Sequence, residues 1–214
     1  MFSPSPLPSE KKRKDKSGNF PGSFPEYARK NSKNSRSPEN KGNREFSEGT
    51  GMNGFSSHGV TLRPLLDRDM RTVRRFLLMP HVLPWFSPAE SWIEEIEGRR
   101  GAYGFVHHFL VCADGRDIGF CQYYDYSLGG ETWQGTVPVR GSYSIDYLIG
   151  EEAYLRRGYG RAVVMTLTEH IFTRTDAERI LVQPEKENLP SRNTLRSAGY
   201  LYDRENDLFY RLRP

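Results

Sequence analysis

The chain has 214 residues, enough for one ordinary domain with a tail or for two small domains. It carries 31 Lys and Arg against 27 Asp and Glu. The first 58 residues hold 11 of the basic and 6 of the acidic residues, so the remainder has 20 basic and 21 acidic residues and a net charge of −1. The basic balance therefore belongs to the N-terminal segment, and a nucleic-acid-binding face on the rest of the chain is not indicated.

Residues 1–58 are rich in Ser, Asn, Pro, Gly and Lys and hold very few aliphatic side chains. Such a segment cannot bury enough apolar surface to offset its ordering entropy, so we expect a disordered basic leader before one domain over residues 59–214. Met52, near the end of this leader, is a candidate start codon. The leader lacks the apolar stretch of a secretory signal, and no run of about 18 apolar residues occurs, so we expect a cytoplasmic protein.

The first half of the domain is predicted to begin with a short strand at residues 60–63. A helix capped by Asp67 or Asp69 follows to about residue 78. A second helix starts with Ser87 as N-cap and Pro88 at the first helical position, and Gly98 ends it. The aromatic and β-branched runs 105–112 and 118–126 are strands, and the three residues 113–115 between them indicate a hairpin.

The second half alternates in the same way after a glycine-rich loop at residues 128–141. We predict a strand over Ser142–Ile149, a long helix over 158–173, a strand over Arg179–Val182, a helix over 188–198 and a closing hairpin of 200–203 with Leu208–Leu212. This order predicts an α/β (α+β) domain with a mixed sheet and helices on both faces.

Cysteine and histidine do not indicate a metal or a disulfide framework. Cys112 and Cys121 are two thiols on neighbouring predicted strands, and we expect both to be reduced. His107 and His108 are adjacent on a strand and so point to opposite faces, with no Cys or carboxylate at ligand spacing. We therefore assign no metal.

The most informative segment is the turn between the strand Ser142–Ile149 and the long helix, where Gly158 and Gly160 open the helix. Glycines let the backbone approach a ligand closely, and unpaired amides at a helix start attract an anion. Arg156, Arg157 and Arg161 add positive charge around the same turn. The pattern fits a pyrophosphate-bearing cofactor; the alternative is a flexible turn with solvated arginines. It is neither a Rossmann fingerprint nor a Walker A loop.

Arg-Arg-Gly-Tyr-Gly before a long helix resembles the acetyl-CoA motif of the GNAT superfamily, Gln/Arg-x-x-Gly-x-Gly/Ala, although Leu155 stands at its first position. Downstream, Asn188, Ser191 and the pair Gly199-Tyr200 resemble the family's second signature. The resemblance covers about residues 60–214 and implies a mostly antiparallel sheet of six to seven strands and acetyl-CoA as co-substrate. The cofactor-binding residues that it implies are Leu148, Ile149, Gly150, Arg156, Arg157, Gly158, Tyr159, Gly160, Arg161, Asn188 and Ser191, with the pantetheine arm pairing with the backbone of Leu148 and Gly150.

Three stretches resemble the aminoglycoside 6′-N-acetyltransferases within that superfamily: residues 81–86 (His-Val-Leu-Pro-Trp-Phe), residues 115–124 ending in Gln-Tyr-Tyr, and the Ile-Asp-Tyr-Leu-Ile strand at 145–149. The implied acceptor is a polycation, so we expect an acidic cleft beside the basic cofactor turn. Asp146 is the candidate catalytic base, with a structural ion pair to an Arg as its alternative. The substrate-binding residues that we expect are Trp85, Gln122, Tyr124, Asp125, Asp146 and Glu185. Further acids considered are Glu131, Glu151, Glu152 and Glu187, and further cleft walls are Phe86, Trp92 and Trp133.

Two positions depart from the family pattern. The usual tyrosine acid falls at Leu195, so another Tyr, water or no acid must serve the departing thiolate. An Asp that many aminoglycoside enzymes carry after the fifth strand is Gln183 here.

Several alternatives stay open at this point. Leu195 also fits the ribosomal-protein N-terminal acetyltransferases, and acylation of a siderophore precursor is a related option. A non-catalytic CoA-binding module is an alternative of another class, and nucleic-acid binding through the leader is a further one. We expect a small-molecule amine acceptor, no nucleic acid, no membrane, and a monomer or homodimer.

Overall fold

The computed structural model describes residues 54–214, so most of the predicted leader, including the candidate start at Met52, lies outside the described residues. Its sheet runs in the order β1-β2-β3-β4-β5-β6-β8-β7, and every neighbouring pair is antiparallel except β5 with β6. The strands are β1 Phe55–Ser57, β2 Val60–Pro64, β3 His107–Ala113, β4 Arg116–Asp125, β5 Ser142–Ile149, β6 Arg179–Val182, β7 Leu201–Asp203 and β8 Leu208–Leu212. The mixed, mostly antiparallel sheet is confirmed, with eight strands rather than six to seven.

The additional strand is β1, which lies inside the segment that we assigned to the leader. A two-residue turn with positive φ at His58 (53°) and Gly59 (82°) joins it to β2, as in a tight hairpin. The Phe55 ring stacks on His170 at 3.8 Å between ring centroids and meets the edge of Phe109 at 5.5 Å. The sheet therefore begins four residues before the predicted boundary at residue 59.

Helices cover both faces of the sheet, as predicted. They are α1 Met70–Leu77, α2 Ala89–Glu97, the single turn α3 Tyr126–Gly129, α4 Tyr159–Arg174 and α5 Leu189–Ser197. One apolar cluster lies between the sheet and α1 with α2, and includes Phe76, Trp92 and Phe120. The other lies under α4 and α5, and includes Leu167 and Leu195. No helix in residues 54–214 is long and apolar enough to cross a membrane.

The predicted helix starts are correct to within a few residues, and Gly98 ends α2 as predicted, but the predicted N-capping by side chains does not form. Pro88, not Ser87, occupies the N-cap of α2. Asp69 stands at the N-cap of α1 without capping it, because its carboxylate accepts from Arg63 at 2.7 Å and from the Leu66 amide at 2.9 Å. For α1, a tertiary contact thus overrides the local capping preference.

The feature that positions the site is the divergence of β5 from β6. β4 pairs with β5 from Gly119 opposite Ile149 to Asp125 opposite Tyr143. Within the described residues, β5 and β6 pair only over Ser142–Ser144. The second half of β5 therefore faces an opening in the sheet, and α4 begins beside it.

Gly119 sets how closely β4 approaches this half of β5. A Cβ at that position would lie 2.3 Å from the carbonyl oxygen of Leu148, a backbone atom that cannot rotate away. We therefore expect Gly119→Ala to lower the free energy of unfolding by about 1–3 kcal/mol, measured by urea denaturation. Gly160→Ala is the matched control, since its nearest neighbour would be Thr194 at an ordinary 3.6 Å. Equal stability of the two variants would contradict this packing.

Candidate active site

The opening between β5 and β6 continues into a cleft of about 760 Å³. Its walls come from both sides of the sheet: the segment between α1 and α2, strands β4 and β5, the start of α4, and the segment from the end of β6 into α5. The lining includes Trp85, Phe86, Trp92, Tyr124, Glu131, Trp133, Asp146, Ile149, Arg156, Gly158, Gly160, Arg161, Glu185, Asn188 and Ser191. One end of the cleft is basic, and the other is acidic and aromatic.

The basic end is built on the N-terminus of α4. Gly158 is the N-cap with φ of 87°, a left-handed conformation that glycine adopts without strain, and a Cβ added there would meet open space. The first helical hydrogen bond runs from the Ala162 amide to the Gly158 carbonyl, so the preceding amides have no intrahelical acceptor. With the dipole of a 16-residue helix behind them, these amides form a ready anion site.

The three arginines of this turn differ in their surroundings. Arg156 and Arg161 line the cleft, and the Nε of Arg161 donates to the Ser197 carbonyl at 2.8 Å. Arg157 does not line it; its guanidinium lies over the rings of Tyr154 and Tyr159 and donates to the Ala153 carbonyl. Arg156 and Arg161 are therefore the cations placed to meet a phosphate in the cleft.

The peptide groups of β5 that face the opening are not the ones that we expected. The Gly150 amide donates to the Ile118 carbonyl at 2.8 Å, so it is turned toward β4. Because peptide groups alternate along a strand, those of Leu148 also face β4, while those of Tyr147 and Ile149 face the opening. The predicted pantetheine pairing with Leu148 and Gly150 is therefore in the wrong register. The Nε2 of His81 donates to the Ile149 carbonyl, 2.9 Å away.

The acidic end lies along one row of side chains across three strands. His108 on β3 is opposite Gln122 on β4, and Gln122 is opposite Asp146 on β5. Glu95 reaches this row from α2. The Gln122 amide nitrogen donates both to Glu95 Oε1 at 2.9 Å and to Asp146 Oδ2 at 3.1 Å. One side-chain amide thus bridges two carboxyl groups.

Burial raises the pKa of three carboxyl groups at this end. Desolvation raises the pKa of Asp146 to about 7, helped by the nearby charge of Glu95 and opposed by the Gln122 hydrogen bond. Desolvation likewise raises the pKa of Glu95 to about 8. Glu131, whose carboxylate accepts from the Tyr124 hydroxyl at 2.7 Å, also reaches about 8. Such groups are poised to exchange protons near neutral pH.

Most of the predicted site residues are brought together, and a few are not. The cleft lining contains Trp85, Tyr124, Asp146, Leu148, Ile149, Arg156, Gly158, Gly160, Arg161, Glu185, Asn188 and Ser191. Gln122, Asp125, Gly150, Arg157 and Tyr159 are outside it. Asp125 instead caps α3, accepting from the Ser127 amide at 2.8 Å, and Gln122 is fully buried behind Asp146. Neither of these two side chains is placed to contact a sugar.

Two residues that resemble the family's second signature organise the wall opposite β5. Asn188 is the N-cap of α5, and its side-chain oxygen accepts from the Ser191 amide at 3.1 Å. The Ser191 hydroxyl lies 2.8 Å from the Tyr147 hydroxyl. This contact ties α5 to β5 across the opening.

Glu95 is the site residue that sequence reasoning missed. It is 4% exposed on a helix whose other buried residues are apolar: Ala89, Trp92, Ile93 and Ile96. The sequence did contain a signal for Glu95: it is an acid three residues after a Trp, at the flank of an apolar helix face. Within residues 54–214 no group of three or more His, Cys, Asp or Glu side chains is placed to hold a metal ion.

The fold and the cleft define an acyl-CoA-type transferase site, and comparison with known proteins agrees. Residues 65–208 match the family model described as acetyltransferase (GNAT) domain. Because that match covers more than half of the chain, the protein belongs to the GNAT acetyltransferases. It is an acetyl-CoA-dependent N-acetyltransferase.

Individual relatives are more distant. The chain is 24% identical over 151 residues to aminoglycoside N(6′)-acetyltransferase type 1 of Klebsiella pneumoniae, covering 68% of this chain and 75% of that protein. The crystal structure of aminoglycoside acetyltransferase AAC(6′)-Ib with coenzyme A matches with a TM-score of 0.64 at 22% identity, over 72% of this chain and 95% of the other. A putative ribosomal-protein-serine acetyltransferase from Vibrio cholerae matches with a TM-score of 0.56 at 16% identity, over 75% of this chain and 97% of that one.

The left-handed turn at Gly158 gives a direct test of the anion site. An L-residue pays about 1–2 kcal/mol in that conformation, and relief of this strain would turn the following amides away. We expect Gly158→Ala to weaken acetyl-CoA binding about tenfold, measured by titration calorimetry. Gly115→Ala is the control, because it carries the same kind of strain, with φ of 72° and open space, in the hairpin between β3 and β4. Equal loss of affinity in both variants would contradict the assignment.

Proposed function

We propose that the protein acetylates a primary amine of a polycationic small molecule, namely the 6′-amine of an aminoglycoside. The observation that carries this proposal is the position of Asp146 and Glu131, two acids in the wall of the cleft that contains the anion-binding turn of α4. A cleft that is basic at one end and acidic at the other suits a phosphorylated donor and a cationic acceptor. The likeness to aminoglycoside acetyltransferases supports the same acceptor class.

The donor end follows from the backbone. The amides that open α4, with Arg156 and Arg161, would hold the pyrophosphate of acetyl-CoA. The peptide groups of Tyr147 and Ile149 would pair with the pantetheine arm in the opening beside β5. The Ile149 amide is then placed to stabilise the oxyanion that forms on the thioester carbonyl.

The acceptor end is built from acids and aromatic rings. Trp85, Phe86 and Trp133 would wall the sugar rings, with Asp146 and Glu131 between them. These partly buried carboxyl groups have raised pKa values and so resist ionisation, and a bound ammonium favours their charged form. Binding of a cation therefore offsets the desolvation that the free site carries.

Asp146 would take the proton of the acceptor ammonium, and the neutral amine would attack the thioester carbonyl. Leu195, at the usual tyrosine position, is fully buried and cannot protonate the thiolate. The Tyr147 hydroxyl, held by Ser191 in the cleft wall, is the proton donor that the chain offers there instead. Burial raises its pKa, so the hydroxyl is protonated when the thiolate leaves, although it is a weaker acid than a solvated tyrosine. Positioning of the two reactants supplies the rest of the acceleration.

The proposal is tested by thiol release from acetyl-CoA with a panel of acceptors. We expect release with aminoglycosides that carry a 6′-amine and little with matched compounds that carry a 6′-hydroxyl. The same panel includes a ribosomal-protein N-terminal peptide and a linear polyamine. Turnover of the peptide alone would replace the proposed acceptor by a protein α-amine, and no release with any amine would indicate a non-catalytic CoA-binding module.

Removal of the base gives a second prediction. Asp146→Asn should lower kcat about 10²–10⁴-fold, because the amide cannot accept the ammonium proton, while acetyl-CoA affinity stays near that of the wild type. Asp125→Asn is the matched control: the same charge is lost, and asparagine caps helices as well as aspartate does. Wild-type turnover by Asp146→Asn would remove this residue from the mechanism.

The pH dependence follows from the same carboxyl group. A base works in its deprotonated form, and the pKa of Asp146 is raised to about 7, so kcat/KM should fall as pH decreases through about 7. Activity that stays constant down to pH 5 would show that Asp146 ionises like an ordinary aspartate and would contradict the buried environment described above. The cytoplasmic location, the monomeric or dimeric state, and the disordered leader before β1 remain predictions beside this function.

A further inference from the structure

The row behind the cleft wall contains more polar groups than the proposed reaction uses. His108, Gln122 and Glu95 are 6%, 0% and 4% exposed, and none of the three lines the cleft. Burying polar groups is costly unless each finds a hydrogen-bond partner. Here the His108 Nε2 and the Gln122 Oε1 have none within the described residues. Because burying these groups costs stability, we expect the cluster to serve a function.

His108 does not neutralise Glu95. Its Nε2 lies 3.6 Å from Glu95 Oε1, beyond hydrogen-bond distance. Burial, together with the charge of Arg99, lowers the pKa of His108 to about 3, so the ring is neutral at working pH. Glu95 therefore has no buried cation beside it in this row, and the Gln122 amide is the partner that reaches it.

Gln122 couples Glu95 to Asp146. A side-chain amide has two N–H donors, and both are in use: one on Glu95 Oε1 and one on Asp146 Oδ2. The two carboxyl oxygens are therefore held close to the same nitrogen. The orientation of the Asp146 carboxylate depends on an amide whose own orientation depends on Glu95.

We propose that Glu95 is a positioning residue for Asp146. Through the shared Gln122 amide, Glu95 fixes the orientation of the catalytic carboxylate. As a second carboxyl group, it also keeps Asp146 basic enough to accept the ammonium proton. This inference rests on the proposed role of Asp146 as the base. Two carboxyl groups this close resist simultaneous ionisation and titrate as a pair.

The other acids around the pair act in the same direction, the remaining polar groups are neutral, and the cation Arg99 is paired with Asp67. From α2, the charge of Glu95 raises the pKa of Asp146. Glu131, which precedes β5, is a third acid whose pKa is raised by burial and, to a smaller extent, by the charges of Asp146 and Glu95. From β4, Tyr124 donates to Glu131 and stays protonated, because burial raises its pKa. From β3, His108 is neutral, and Arg99, after α2, donates to the Ile96 carbonyl.

The test follows the Asp146 carboxyl directly in the full-length protein. With ¹³C-aspartate labelling, its side-chain carbon is identified by its loss in Asp146→Asn and followed by NMR from pH 4 to 9. We expect a broad, two-step titration in the wild type. In Glu95→Gln we expect a single step displaced to lower pH by about one unit, because the second carboxyl is gone. The control Glu94→Gln removes a charge from the adjacent, exposed position of α2 and should leave the two-step curve unchanged.

Activity supplies the second readout. In Glu95→Gln the acidic limb of the kcat/KM profile should move to lower pH by the same amount, while acetyl-CoA affinity stays unchanged. Glu95→Asp, which restores a carboxylate, should recover part of the wild-type profile. A purely structural Glu95 would change stability without moving the limb, and that result would overturn the inference.

The outcomes separate this inference from the function on which it rests. Failure of the wild type to release thiol with any amine rejects the proposed function, whatever the titration shows. A wild type that turns over, with an Asp146 carbon that titrates in one step near the pKa of an ordinary aspartate, rejects the inference alone. That last observation needs no variant, so it holds even where Glu95→Gln fails to fold.

Discussion

The cleft of this protein depends on the point where two neighbouring strands of the sheet stop pairing. In the part of the chain that the structure describes, β5 and β6 form the single parallel pair, and they separate after Ser144. Backbone N–H and C=O groups need partners, and a strand that loses its neighbour within a sheet presents a row of them. In this protein the row includes the peptide groups of Tyr147 and Ile149, and it leads to the amides that open α4. The parting of the strands creates the cleft and supplies the groups that would hold a linear, amide-bearing ligand.

The second constraint is the placement of acids on the α1 and α2 side of the same strand. Asp146 lies on β5 immediately before the residues that face the opening, so whatever binds along β5 lies within reach of its carboxyl group. Burial by α2 and the aromatic walls makes that carboxyl a far stronger base than a solvated aspartate. The fold thus joins an anion-binding helix start and a proton-accepting side chain through a single strand of eight residues.

Local sequence signals predicted much of this arrangement. The bounds of β5, β6 and β8, the glycine that opens α4 and the helices on both faces all follow from periodicity, glycine placement and motif resemblance. The N-cap of α1 did not follow, because Asp69 is bound by Arg63, a contact with a strand that capping rules do not include. β1 was missed because its three residues follow a polar segment, although the His58-Gly59 turn was a usable signal.

The site residues show the same division. Asp146 and the glycines of the turn could be found by motif, since their chemistry depends on nearby residues. The direction of each β5 peptide group could not, because it depends on the register with β4, and a change of one residue reverses it. Asp125 and Gln122 were expected at the substrate for their chemistry, but a helix cap holds one and burial hides the other. Glu95 became part of the site only through the packing of α2 on the sheet.

The central claim is that the separated half of β5 and the start of α4 bind acetyl-CoA through their backbone. Amide hydrogen exchange, resolved by residue with and without CoA, tests it most directly. Slower exchange at Tyr147, Ile149 and the amides of residues 158–161, with little change at Leu148 and Gly150, is the predicted result. Protection at Leu148 and Gly150 without protection at Tyr147 and Ile149, or no protection around Gly158 at saturating CoA, would contradict the account.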